Sequence, residues 1–219
     1  MKNLLSIGSF GAKIAIVVTA TVGGTALVGS SVFASLTATA FNTSAHSVST
    51  GTLQLTQAPS GVGGLNAGFV TAVTAVAPGD TINRFIDITN GGTLAGSAMT
   101  LKVADSAATT LTTSASAGLQ VTVKECTVAY TTGSGACTGT ETTVLAATPA
   151  NTLLTAQSIT FANAFAAGGV TRAKFIISLP TGSEVTTNGT LPGGTIQGVT
   201  SLLTWTFTET QRAATNTAG

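Results

Sequence analysis

Charge is what this chain has least of. Its 219 residues hold 8 Lys+Arg and 7 Asp+Glu, a charged fraction of 7%, where an ordinary globular domain carries about 25%. The shortage excludes functions that work through charge. A nucleic-acid binder needs a basic stripe to displace counterions from phosphates, and a formal net charge of +1 supplies none. Histidine is nearly absent as well, with His46 the single one, set in the polar stretch 42–50. Zinc hydrolases draw two or three ligands from histidine, and the helical H-E-x-x-H pattern does not occur. A Ser-His-Asp triad would have to use His46, whose neighbours carry no nucleophile signature. His46 reads as an exposed loop residue, and no catalytic residue, metal site or cofactor is expected. Asp80 and Asp87 flank Arg84. They offer too few oxygens for calcium and read as a turn aspartate and a surface ion pair.

What is present is small, apolar and β-branched. Hydrophobic residues make up 43% of the chain, aromatics only 5%, and Thr, Ser, Ala, Val and Gly dominate. That composition suits half-buried strands better than helices. The N-terminus is organised differently. Lys2 and Lys13 flank residues 14–34, which are apolar or small throughout and end in Val32-Phe33-Ala34. A basic flank, an apolar run and a small-residue end are the parts of a secretory signal. Cleavage is expected between Ala34 and Ser35, with Ala38 or Ala40 as later alternatives. The competing reading is an uncleaved anchor, since roughly 20 apolar residues can span a bilayer. Gly23-Gly24 and the Thr/Ser content make a poor transmembrane helix. Residues 1–34 are therefore expected to be a signal peptide that meets the membrane and signal peptidase only transiently. Residues 35–219 form the secreted, extracellular domain, which carries six basic against seven acidic side chains once Lys2 and Lys13 are gone. Leu179-Pro180-Thr181-Gly182 lacks the spacer of a sortase motif and is followed by no apolar tail.

Period-two alternation, the sign of a strand with one buried face, recurs along residues 35–219. Leu53 and Leu55 alternate with Thr52, Gln54 and Thr56; Met99, Leu101 and Val103 with Thr100 and Lys102; Leu119, Val121 and Val123 with Gln120, Thr122 and Lys124; and Leu203, Trp205 and Phe207 with Thr204, Thr206 and Thr208. Weaker runs cover 69–76, 82–89, 157–161 and 172–179. Turn formers separate them: Pro78-Gly79-Asp80, Asn90-Gly91-Gly92, Gly133-Ser134-Gly135, Asn188-Gly189 and Pro192-Gly193-Gly194. No amphipathic helix competes, and a short turn is the most that 105–117 allows. The pattern predicts an all-β, two-sheet β-sandwich of jelly-roll type. Cys126 and Cys137 flank a short loop and, in an exported chain, read as a disulfide.

Several of these pieces fall in one order. Thr39-Ala40-Phe41-Asn42 leads into Thr50-Gly51-Thr52-Leu53-Gln54-Leu55. Then come Ala77-Pro78-Gly79-Asp80-Thr81-Ile82, Ile88-Thr89-Asn90-Gly91-Gly92-Thr93-Leu94, and a closing Thr204-Trp205-Thr206-Phe207-Thr208-Glu209-Thr210-Gln211. In this order the chain resembles the TasA/camelysin family of biofilm matrix proteins, exported on signal peptides processed by an ER-type signal peptidase. The Cys pair and low charge are most similar to actinobacterial members. The resemblance implies a jelly-roll-like sandwich that polymerises head to tail by donor-strand exchange, with itself as partner. The implied donor is Ser35, Leu36, Thr37, Ala38, Thr39, Ala40 and Phe41, with Leu36, Ala38 and Ala40 on one face and Thr37, Thr39 and Phe41 on the other. The same stretch could instead pair within its own subunit. Camelysin relatives have been classed as metallopeptidases, a label for which this sequence holds no residues. A monomeric secreted module, adhesin-like or hydrolytic, is the alternative to a fibre subunit.

Overall fold

Small and β-branched side chains in alternation hold the backbone extended. Among the described residues they give eight strands: β1 (Leu55–Pro59), β2 (Thr81–Asn90), β3 (Gly96–Asp105), β4 (Gln120–Cys126), β5 (Glu141–Pro149), β6 (Gln157–Ile159), β7 (Val170–Ser178) and β8 (Leu203–Gln211). Two single-turn helices, α1 (Thr110–Thr113) and α2 (Ala150–Leu153), interrupt them. This computed structural model describes residues 49–62, 67–163, 166–182 and 189–214.

The strands form two antiparallel sheets, one of five in the order β1-β2-β7-β4-β5 and one of three in the order β6-β3-β8. Alternation points Ile86, Ile88, Val121, Val123, Ala173 and Phe175 of the wide sheet at Met99, Leu101, Val103 and Ile159 of the narrow one. None of these ten is more than 2% exposed. The expected two-sheet sandwich is the fold.

Two local expectations are corrected, and one strand has no counterpart among them. Residues 69–76 do not form a strand. Ala67 makes one parallel bridge to Phe85, Gly68 N–H donates to the Phe85 carbonyl at 2.8 Å, and beyond them Val70 lies 92% exposed. Strand β5 was not legible because its ladder with β4 shifts register twice, which leaves the adjacent Val144 and Leu145 both half-buried and erases the period. Arg84 is not a surface residue paired with Asp87. It shares the inner parity of Ile86 and Ile88, is 5% exposed, and its Nη2 donates to the Thr71 carbonyl at 2.9 Å. Asp87 lies on the opposite face, across from Arg172 of β7. Asp80 is a turn aspartate, its Oδ2 accepting the Ala77 N–H at 2.7 Å.

The Cys126–Cys137 bond forms, with Cα atoms 5.9 Å apart. Its position explains its use. Cys126 ends β4 on the outer face of the wide sheet, and the chain after it folds back over that face. Tyr130 packs edge-on against Phe85 at 5.0 Å, and Val62, Phe85, Cys126 and Tyr130 make a second small core. Gly135, with φ +63°, sits so close to the Phe85 ring that any Cβ would collide with it. Gly133 N–H donates to the Val62 carbonyl at 3.0 Å. Glu141 ties the rim, accepting from Lys124 Nζ at 2.8 Å with Lys174 Nζ at 4.0 Å.

Asp105 joins the end of β3 to the start of β8. Its Oδ1 accepts the N–H groups of Ala107 and Leu202, both at 3.0 Å, and its Oδ2 accepts Thr112 Oγ1 at 2.6 Å and the Thr109 N–H at 3.3 Å. Burial alone would raise its pKa. The donors from Thr112, Ala107, Leu202 and Ser201 outweigh that and hold it at about 2, below the ordinary 3.8.

Two predictions follow from these contacts. A carboxylate depressed by native donors stabilises above its unfolded pKa and loses that contribution as pH falls through the folded one. Asp105→Ala should therefore destabilise by about 2 kcal/mol at pH 7, and the gap from wild type should shrink between about pH 4 and pH 2; denaturant melts across that range measure it. Cys137→Ser should lower the melting temperature, by at most about 3 kcal/mol of stability, while the circular dichroism of the sandwich persists. An unchanged melting temperature would show that the flap over Phe85 holds without its bond.

Candidate functional site

Five strands cannot be covered by three. The uncovered side lies at β1 and β8. In the wide sheet β1 pairs only with β2, and in the narrow sheet β8 pairs only with β3. The outer edges of both strands are unpaired among the described residues. Between them runs a groove of about 240 Å³ lined by Leu55, Thr56 and Gln57 of β1, Ile88 of β2, and Trp205, Thr206 and Phe207 of β8. Inward side chains here are only half covered. Leu203, Trp205 and Phe207 have the inner parity of β8, yet each is merely half-buried, whereas Leu101 and Val103 beside them on β3 are sealed.

An aromatic cluster forms the wall. Phe175, fully buried, meets Trp205 at 5.4 Å and Phe207 at 5.9 Å, edge to face. Phe69, from the segment that failed to become a strand, stacks flat on Trp205 at 4.8 Å and meets Phe175 edge-on at 5.1 Å. The groove is thus stopped at its Trp205 end by Phe69, whose segment Arg84 tethers through Thr71.

The next inward residue of β8 after Phe207 is charged. Glu209 pairs across the ladder with Met99, as Phe207 does with Leu101, so its carboxylate enters the line of apolar side chains. Both of its oxygens are buried, and neither has a hydrogen-bond partner. Burial pushes its pKa above the usual carboxylate value. Gly96 of β3, paired with Gln211, makes the room, because a Cβ there would overlap the Glu209 carboxyl. A second hollow, of about 200 Å³, follows at Leu94, Gln211, Arg212, Ala213 and Ala214. Taken together, this is an apolar slot bordered by two backbone edges that are unpaired among the described residues, with one orphan carboxylate beside it.

The alternation of Leu203, Trp205 and Phe207 marked β8 from the sequence, and continuing it by two residues would have marked Glu209. The role of Phe69 had no such signal. Ala34, Ser35, His46 and the donor residues 35–41 lie outside the described residues. Among the described residues Asp87, opposite Arg172, also has a buried oxygen without a hydrogen-bond partner, Oδ1, whereas three other acids are engaged. Glu125 is 4% exposed, accepting the Ala162 N–H at 2.8 Å and Thr171 Oγ1 at 3.1 Å, while Asp105 and Glu141 hold the contacts given above. Among the described residues no three His, Cys, Asp or Glu side chains are grouped to hold a metal ion. No helix among them is long and apolar enough to cross a membrane.

Residues 9–128 match the family described as camelysin metallo-endopeptidase. No curated protein matches the chain. The family match covers more than half of the 219 residues, from the apolar N-terminal segment through β4. This chain belongs to the TasA/camelysin family.

Proposed function

We propose that this protein is a structural subunit of extracellular fibres, secreted on its N-terminal signal and assembled when residues 35–41 of one copy enter the β1–β8 groove of the next. The observation that carries the reading is the groove itself, lined by β1 and β8, whose outer edges are unpaired among the described residues, and by half-covered aromatic side chains. An exposed edge of this kind is a template for another strand, and proteins that stay monomeric blunt it with charge or proline. Here β8 carries one charged residue in nine, Glu209, and it points inward. Seven extended residues span about 23 Å, enough to run along most of β8. Lending a strand is a heterologous contact, so it propagates into a filament instead of closing a dimer. With six basic and seven acidic side chains left after signal removal, repulsion between subunits is weak.

The family description also implies a metallopeptidase. The donor set does not fit one. The chain holds one histidine, both cysteines are bonded to each other, and Asp105, Glu125 and Glu141 are committed to structural contacts.

Electron microscopy of the secreted protein beside a variant lacking residues 35–41 tests assembly. Filaments are expected from the wild type and folded monomers from the deletion; filaments of equal abundance in both would defeat donor-strand exchange, and an entirely monomeric wild type would favour a secreted binding module. Highly purified protein should show no chelator-sensitive proteolysis. Such activity, abolished by His46→Ala, would restore the peptidase reading.

A further inference from the structure

Resting on that reading, we propose the register of the complex: the incoming strand runs antiparallel to β8 with Phe41 opposite Phe207, Thr39 opposite Glu209 and Thr37 opposite Gln211. In an antiparallel pair, directly opposed residues share a face. A strand added beside β8 must therefore present alternate residues to the inward series Trp205, Phe207 and Glu209. Residues 35–41 offer two faces. Leu36, Ala38 and Ala40 would set methyl groups against the buried Glu209 carboxylate. Thr37, Thr39 and Phe41 supply one ring and two hydroxyl donors at two-residue spacing. The groove asks for a ring in the cavity bounded by Leu55, Ile88, Trp205 and Phe207, and for a donor two residues further along, where the Glu209 oxygens have no partner.

Direction and offset follow. A parallel strand with Thr39 at Glu209 would carry Phe41 away from the cavity to Gln211 and lay Thr37 on Phe207. An antiparallel strand slipped by two would bring Phe41 to Trp205, whose face Phe69 already covers at 4.8 Å. Phe207 is the inward position left for the ring. The occupant is residues 35–41 of a second copy, as in the assembly proposed above; seven residues, 42–48, link Phe41 to Ser49, and extended they reach about 25 Å. In this register Glu209 is the residue that selects the donor, because it accepts only a strand with a hydroxyl two residues before its aromatic.

Cysteine pairs read the register in the full-length secreted protein, where the native cysteines are already bonded to each other. Positions 40 and 208 are opposed in the proposed register, and positions 40 and 206 in the slipped one; Thr206 and Thr208 are both exposed. With an added oxidant, Ala40→Cys with Thr208→Cys should give a ladder of covalent oligomers on non-reducing gels, and Ala40→Cys with Thr206→Cys should not. A ladder from the 40/206 pair alone, or filaments without either crosslink, would overturn the register while leaving strand donation standing, and a 40–208 bond closed within one chain would defeat donation itself. Filaments that survive deletion of 35–41, or none from the wild type, would defeat the parent reading and the register together. The selectivity has its own readout. Thr39→Val should raise the concentration needed for filaments roughly tenfold or more by leaving the carboxylate unpaired, and adding Glu209→Leu should recover most of that loss. A Thr39→Val chain that assembles like wild type, or that Glu209→Leu fails to rescue, would remove Glu209 from donor selection.

Discussion

Two sheets of unequal width meet in this molecule, and the rest of the structure turns on where the deficit falls. At the β5 side the narrow sheet is completed by the short strand β6 and by α2, whose Leu153 is sealed in the core. At the β1 side nothing equivalent exists among the described residues. β8 faces β2 and the margin of β1 across a gap, so the inner faces of Leu203, Trp205 and Phe207 stay partly wet. Burying such surface is worth about 25 cal/mol per Å², and an unpaired strand edge adds backbone groups that seek partners.

The devices around the gap keep it shaped. Asp105 fixes where β8 starts by accepting the Leu202 N–H while holding α1 through Thr109 and Thr112. Arg84 and Phe69 stop the Trp205 end. On the far face of the wide sheet, the loop closed by Cys126–Cys137 covers Phe85, the residue whose carbonyl also anchors Ser60 and Gly68. The disulfide and the groove thus act on opposite faces of the same strand, β2. A chain with so few charges and aromatics secures its geometry through backbone carbonyls, threonine hydroxyls and one covalent bond.

Much of this was legible in the residues. Alternation marked β3, β4 and β8, and the weaker runs marked β2, β6 and β7, because each strand has one face in the core and one in solvent. Turn chemistry at Pro78-Gly79-Asp80 and the pairing of Cys126 with Cys137 are local properties, and both stand in the structure. Residues 69–76 have strand composition but lack a neighbour to pair with, and no local pattern reveals a missing neighbour. Strand β5 was hidden by its bulges. Arg84 was misread because flanking aspartates indicate a surface pair only when all three side chains share a face, and residues 84 and 87 do not. The groove depends on strand order, which alternation does not carry.

The central claim is that the β8 edge is an open acceptor in the monomer and a paired strand in the assembled protein. Amide hydrogen exchange, resolved by residue in the monomer and in the polymer, tests it most directly. Every second amide of β8 points at β3 and should be protected in both states. The alternate amides, facing the groove, should exchange quickly in the monomer and gain protection of at least a hundredfold, on the order of 3 kcal/mol, in the polymer. Equal exchange of those groove-facing amides in the two states would contradict the account.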